Sequence, residues 1–378
     1  MMIAFVILTW MTSLCYSISV LDYKACPKLR PRMNPPANIR DLRPDDVSIV
    51  IGIGDSLMAG LNSRVPHHLP MADWLSGYDT EFRGSNYITG GDSDSSSVGR
   101  ILAHYNPSIN GLSHGNTSMI YCYGPICPAG SNHIPFVPEA LGLNAAQSGA
   151  WTTFQNTFNQ IKYLDLYMKS FIPKSLVNPW KLIFVELGFN NVCLGCVPFL
   201  KRFIFSADKY ETHIRKLLDT IRSRYTNTLV TLMAPFNMSQ LNIAKKKFAD
   251  CKSLSPKVVG CICNEDTRWL PNSRLKMDIL ATEYNQRLEK IANEYAALNY
   301  SDFAVVYDPS LGQLDFVNGT MDIISGRDCF HPSFQSHNRA GVSVWNNLFK
   351  AQKDKLPMNI ISPNKVDCPD ENTRFWIP

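Results

Sequence analysis

Charge is scarce in this chain: 18% of its 378 residues are Asp, Glu, Lys or Arg, against the usual quarter. No run of five or more like charges occurs and the net charge of +5 is scattered, so there is no electrostatic footprint for nucleic acid. Weak attraction to an anionic membrane is all that the balance allows. After residue 14 no apolar stretch reaches the 18 residues that a spanning helix needs. Internal repeats and linkers are missing, and collagen, coiled coil and low-complexity compositions are excluded. The C-terminus, Asn372 to Pro378, has neither a hydrophobic GPI tail nor a retention tetrapeptide. What is present is an ordinary hydrophobic fraction, 45%, enough to bury a sizeable core.

Residues 3 to 14, IAFVILTWMTSL, are apolar, begin at the N-terminus and precede small residues at Ser17 and Ser19. They read as a signal peptide within residues 1–19, although the segment before them lacks Lys or Arg. Residues 20–378 then form one secreted, soluble domain. Removing Cys15 with the signal leaves ten of the 11 cysteines, an even number suited to an oxidising compartment. Sequons at Asn116, Asn237, Asn299 and Asn318 are candidates for glycan.

Apolar β-rich runs at Val47–Ile53, Leu182–Leu187, Leu229–Met233 and Phe303–Tyr307, with a weak one near Leu143–Ala146, alternate with helical patterns. Tyr210, Ile214, Leu217, Leu218 and Ile221 make one helical stripe; Met277, Leu280, Ala281, Tyr284, Leu288 and Ile291 make another. Continuous apolar strands between amphipathic helices predict a parallel sheet covered on both faces, with the stripes facing the core. Leu61 to Glu139 is rich in Gly, Pro, Ser, Asn and His. It reads as ordered loops beside the site, with one short helix near Val98–Tyr105.

The first strand leads into Gly52-Ile53-Gly54-Asp55-Ser56-Leu57-Met58. A dinucleotide fingerprint would need its third glycine at Leu57, and a nucleophile elbow its second glycine at Met58, so neither fits. Ser56 still stands where a parallel strand ends, which suits a nucleophile or a helix N-cap equally. A nucleophilic serine needs a base, and the base an orienting carboxylate. Asp328-Cys329-Phe330-His331 lets one turn present both; His337, six residues on, is the competing imidazole.

Together these segments resemble the GDSL esterase/lipase (SGNH hydrolase) superfamily, in particular its phospholipase B-like branch. Gly54-Asp55-Ser56-Leu57 matches the nucleophile motif, and Leu42-Arg43-Pro44-Asp45-Asp46-Val47 resembles the branch's lead-in. Asn144-Ala145-Ala146-Gln147-Ser148-Gly149-Ala150 is similar to the second block, Gly188-Phe189-Asn190-Asn191 to the third, and Asp328 to His331 to the last, followed by Trp345-Asn346-Asn347. The resemblance implies a three-layer α/β/α, flavodoxin-like fold with a mainly parallel five-stranded sheet. It also implies a Ser56, His331, Asp328 triad and an oxyanion hole formed by Ser56, Gly149 and Asn190. Phe189 and Asn191 depart from the branch's Gly and Asp. The activity implied is hydrolysis of acyl esters in phospholipids or lysophospholipids, at a membrane or micelle surface, with no cofactor, nucleic acid or protein partner. The alternatives are an esterase for other esters and a secreted lipid-binding protein with weakened turnover.

Two metal motifs compete. Cys193-x-x-Cys196 with Cys261-x-Cys263 could bind zinc, though secretion favours disulfides, of which sequence cannot choose the pairing; Cys26 and Cys368 could join the termini. Asp92 to Ser97 begins like a calcium loop, yet has Ser97 in place of glycine and Ala103 in place of the bidentate Glu, so it reads as a turn. No metal is expected.

Overall fold

The computed structural model describes residues 18–67, 79–119, 137–248, 251 and 261–378. The signal-like segment up to residue 17, Cys122 and Cys127 lie outside the described residues.

The first long strand, β1 (Val47–Gly54), is buried except at Ser48, because its β-branched run packs on both faces. After a loop region the chain forms α1 (Val98–Tyr105), then α2 (Phe154–Phe171) and β2 (Trp180–Glu186). Two short helices follow, α3 (Phe189–Leu194) and α4 (Pro198–Phe203), then α5 (Ala207–Arg224) and β3 (Thr228–Met233). The second half supplies α6 (Ser239–Lys247), α7 (Ser273–Leu298), β4 (Phe303–Asp308) and α8 (Phe334–Asn347).

The strands pair in parallel in the order β1-β2-β3-β4. Helices α2, α5 and α7 pack side by side over one face and α1 with α8 over the other, so the architecture is three layers, α/β/α. The expected fifth strand near Leu143–Ala146 is reduced to one parallel bridge, Gly52 to Asn144. That segment has no β-branched residue to favour extension, so it follows β1 only where the backbone holds it.

Both predicted stripes are core-facing: Tyr210 to Ile221 on α5 and Met277 to Ile291 on α7 are buried. Each Leu or Ile among them is worth about 1.5–3 kcal/mol once removed from water. Tyr210 and Tyr284 stack with ring centroids 3.9 Å apart and lock α5 to α7. The Ser206 side chain caps α5 by accepting the Lys209 N–H, and Asn299, left-handed at φ 50°, ends α7. At the termini, Ile18–Val20 pairs antiparallel with Val366–Cys368, fastened by the Cys26–Cys368 disulfide.

Candidate active site

After β1 the chain does not enter a helix at once. Residues 56–60 form a turn, in which Asp55 Oδ1 accepts the Leu57 N–H (3.1 Å) and the Asp55 carbonyl accepts the Ala59 N–H (3.0 Å). Ser56 is therefore presented at the sheet's C-terminal edge by a tight turn, not as a helix N-cap.

The facing loop is equally constrained. The Cys329 N–H donates to the Ser325 carbonyl (3.0 Å) and the Ser325 N–H to the His331 carbonyl (2.8 Å). Asp328 Oδ1 accepts the backbone N–H groups of Phe330 (2.9 Å) and His331 (3.0 Å). Cys329 sits at φ 51°, a conformation costly for a residue with a side chain, and is bonded to Cys251. The loop thereby places His331 Nδ1 2.7 Å from Asp328 Oδ2 and His331 Nε2 2.8 Å from Ser56 Oγ. With the carboxylate ionised, Nδ1 carries the ring hydrogen and Nε2 is free to accept the Ser56 hydroxyl proton.

Electrostatics follow the same chain. Burial opposes charge on Asp328, but the His331 charge and the hydrogen bonds from His331 and Asn62 overcome it and hold the carboxyl at about 2. Burial also lowers the His331 pKa, yet Asp328, with help from Asp55 and Asp79, brings the net shift above the ordinary value. Asn62, left-handed at φ 57°, donates from Nδ2 to Asp328 Oδ2 (2.9 Å) and to Asp79 Oδ1 (3.0 Å). It thus shares Oδ2 with the imidazole, while Oδ1 is held by the two backbone N–H groups.

The second block runs beside β1. The Gly52 N–H donates to the Leu143 carbonyl (3.1 Å), the Ala145 N–H to the Gly52 carbonyl (2.8 Å) and the Gln147 N–H to the Gly54 carbonyl (3.1 Å). Gly149, at φ 77°, emerges from this segment at the same sheet edge as Ser56; a side chain there would be strained. Arg83, fully buried, donates to the carbonyls of Asn144 (2.9 Å) and Ala146 (2.7 Å) while paired with Glu81 at 2.6 Å. Glu81 in turn accepts the Ser148 hydroxyl (2.6 Å), so one buried ion pair holds the block.

Asn190 is the second residue of α3, four after Glu186, which is the register partner of Gly54. Its Nδ2 donates to the Ala150 carbonyl at 3.0 Å, tying the second and third blocks together. Gly188 takes φ 126° to make this turn, against the stacked rings of Tyr210 and Tyr284. The two departures have local explanations. Phe189 packs on Phe236, ring centroids 4.9 Å apart, and Asn191 accepts the Thr152 N–H at 2.8 Å through its Oδ1.

His337 stands apart from these hydrogen bonds. It is buried on α8, stacks on Tyr87 at 5.8 Å, and burial together with the His331 charge pushes it down to about 3, leaving it neutral. Beneath Ser56, Asp55 and Glu186 are wholly buried on adjacent strand ends, and Tyr87 donates to Glu186 Oε2 at 2.8 Å. Burial raises Asp55 to about 7; burial and the Asp55 charge drive Glu186 well above its ordinary value. Sequence reasoning misses this acid pair, Asn62 and Arg83, because no local spacing marks them.

The zinc reading is overturned, because its four thiols are joined as Cys193–Cys261 and Cys196–Cys263. The Asp92 run is a turn in which the Asp92 carbonyl accepts the Ser95 N–H (3.0 Å), and Ser97 caps α1. Asn116, Asn237, Asn299 and Asn318 are all exposed.

The GDSL-like Lipase/Acylhydrolase family pattern matches residues 50–342. The chain is 25% identical over 365 residues to rat "Phospholipase B1, membrane-associated", covering 93% of this chain and 23% of that protein. Against the human protein of the same name identity is 26% over 365 residues, covering 90% of this chain and 22% of the relative. The chain thus spans under a quarter of the length of these relatives. Among solved structures, an extracellular lipase from Streptomyces rimosus aligns over 77% of this chain and 94% of its own at 12% identity, with a TM-score of 0.34. A family match that runs from inside β1 to α8, and so takes in all four blocks, places the chain in the GDSL-like lipase/acylhydrolase family of carboxylic ester hydrolases.

Proposed function

We propose that this lipid ester hydrolase is a secreted serine esterase that cleaves acyl esters of phospholipids or lysophospholipids, with Ser56 as nucleophile, His331 as base and Asp328 as its orienting carboxylate. The observation that carries this reading is the continuous hydrogen-bonded chain Asp328 Oδ2, His331 Nδ1, His331 Nε2, Ser56 Oγ, with steps of 2.7 and 2.8 Å. Family membership supports ester chemistry, and likeness to the phospholipase B1 relatives supports a phospholipid substrate.

In the first step His331 Nε2 removes the Ser56 proton as Oγ attacks the ester carbonyl, and Asp328 stabilises the imidazolium. The charge developing on the carbonyl oxygen is met by the backbone N–H groups of Ser56 and Gly149 and by the Asn190 amide. Collapse expels the alcohol, which takes its proton from His331. Water then attacks the acyl-enzyme with His331 as base, and the fatty acid leaves. Ser56 and His331 are each less than a tenth exposed, so the proton transfers occur largely shielded from bulk water. Four disulfides among the described residues support an oxidising, extracellular setting.

A fluorophosphonate probe tests the assignment, since only an activated serine reacts. Wild-type protein should label and release fatty acid from a phospholipid panel, while Ser56→Ala and His331→Ala should do neither. Labelling that survives Ser56→Ala would move the nucleophile elsewhere, and release from simple esters alone would remove the phospholipid reading.

A further inference from the structure

A helix joining two parallel strands must begin at the C-terminal edge of the sheet, the edge where Ser56 lies. Helices α3, α4 and α6 and the first turns of α7 therefore border the catalytic mouth. This border is unusually apolar for a surface. Trp269, Phe199, Leu275 and Phe203 are 87%, 66%, 62% and 54% exposed, and Ile243, Ile262 and Ile279 are close to half exposed.

These side chains belong to one surface. Leu275, Ile279 and Glu283 are spaced by four residues on α7, and Glu283 meets Lys201 of α4 at 3.8 Å. Phe199 and Phe203 pack together on α4, with centroids 4.9 Å apart. The Cys193–Cys261 and Cys196–Cys263 disulfides strap the Ile262 turn to α3, and α7 packs against both. Cys251, just past α6, is bonded to Cys329 between Asp328 and His331. The surface is thus covalently continuous with the triad loop.

Its charge is as uneven as its polarity. Residues 198–203, 239–247 and 265–283 hold eight Lys or Arg against four Asp or Glu, an excess of four in a chain whose total is +5. The acids are occupied locally: Asp266 pairs with Arg274 at 2.6 Å, Glu283 with Lys201, Asp278 bonds Ser239, and Glu265 accepts the Asn242 side-chain amide at 3.0 Å. Arg202, Lys246, Arg268 and Lys276 are left exposed among the apolar residues.

We propose that this surface docks the protein onto an anionic lipid bilayer or micelle, the aromatic and aliphatic side chains entering the headgroup region and the basic ones meeting lipid phosphates. Apolar groups interleaved with Lys and Arg complement an anionic interface, in which each basic residue contributes about fivefold to binding. The inference deepens the reading of the site as a phospholipid esterase and rests on it for the orientation of the mouth toward lipid.

The test separates docking from chemistry. Binding of the full disulfide-bonded protein is measured by co-flotation with phosphatidylcholine vesicles with and without phosphatidylglycerol, and turnover on a water-soluble short-chain ester is measured in parallel. Wild type should prefer anionic vesicles and lose that preference in high salt. Arg202→Glu with Arg268→Glu and Lys276→Glu should weaken anionic binding by about 100-fold or more. Phe199→Ala with Trp269→Ala should weaken binding to both vesicle types. Neither variant should alter hydrolysis of the soluble ester, which needs no surface. Wild-type binding without charge preference, or variants that bind like wild type, would overturn the docking proposal. A shift in oligomeric state in place of vesicle binding would do the same and mark the face as a self-association surface. Loss of soluble-ester turnover in wild type would instead indict the catalytic reading, leaving the flotation result to stand on its own.

Discussion

The sharpest test of the site is Asp328→Asn, a change of one atom whose consequence follows from hydrogen-bond direction. Asp328 Oδ1 accepts two backbone N–H groups, from Phe330 and His331, at 2.9 and 3.0 Å. The amide that replaces the carboxylate must therefore keep its oxygen there and put its NH2 where Oδ2 now accepts from Asn62 and faces His331 Nδ1. The NH2 can satisfy the imidazole only if the ring shifts its hydrogen to Nε2. Nε2 then donates to Ser56 Oγ and can no longer take its proton. Loss of the correct tautomer in a Ser-His-Asp triad lowers kcat by about 10⁴, with the fold intact. A second readout is the acid limb of the pH profile. The base must be neutral, so wild-type kcat/KM should fall as pH drops through a His331 pKa lying above the ordinary value. Without the Asp328 charge the limb of the residual activity should move to lower pH. Both readouts come from hydrolysis of a soluble chromogenic ester across the acid and neutral range, at enzyme concentrations high enough to see the residue of activity. If Asp328→Asn kept more than about a tenth of kcat, where a loss of about 10⁴ is expected, or left the acid limb unmoved, Asp328 would not be the orienting carboxylate.

Two further predictions concern groups around the triad. Asn190→Ala should fold normally and lose about 10² to 10³ in kcat with little change in KM, as expected for one oxyanion donor; an unchanged kcat on the soluble ester would remove the amide from the site. For Glu186, whose pKa is raised in the fold, the folded state keeps a proton that the unfolded state loses above about pH 4.5, so stability declines as pH rises beyond that point. Glu186→Gln mimics the protonated form and lacks this decline, so its urea midpoint should match wild type near about pH 5 and exceed it at about pH 8; equal midpoints at both pH values would mean that Glu186 is ionised in the fold.

Legibility of the fold tracks the clarity of local pattern. Four strands are readable within one or two residues because their runs are rich in apolar and β-branched residues, as in Thr228–Met233 and Phe303–Asp308, buried at every position. The helix at 154–171 leaves no clean stripe in the sequence. Ile161, Tyr163 and Leu164 face inward, but Phe158, Leu166 and Phe171 are exposed and blur the pattern. The C-terminal helix, α8, hides for the opposite reason: Ser336, His337 and Asn347 are buried polar residues on its inner face, where a sequence reading expects apolar ones.

The site is legible where its chemistry is carried by short contiguous blocks, and silent where it depends on residues that only folding brings together. Ser56 and the Asp328 to His331 turn are local motifs; Asn62, 266 residues from Asp328, is not. Cys329 illustrates the difference most clearly. In sequence it is the unspecified residue between a carboxylate and an imidazole, one of several cysteines with no assignable mate. In the fold its left-handed backbone lets Asp328 reach back to the N–H groups of Phe330 and His331, and its bond to Cys251 closes 78 residues of chain. Closing a loop of that length disfavours the unfolded chain by on the order of 4 kcal/mol, more than enough to offset the ~1–3 kcal/mol strain of one left-handed residue. The strained turn in which the imidazole meets both its partners is therefore carried by a fold that the same disulfide stabilises.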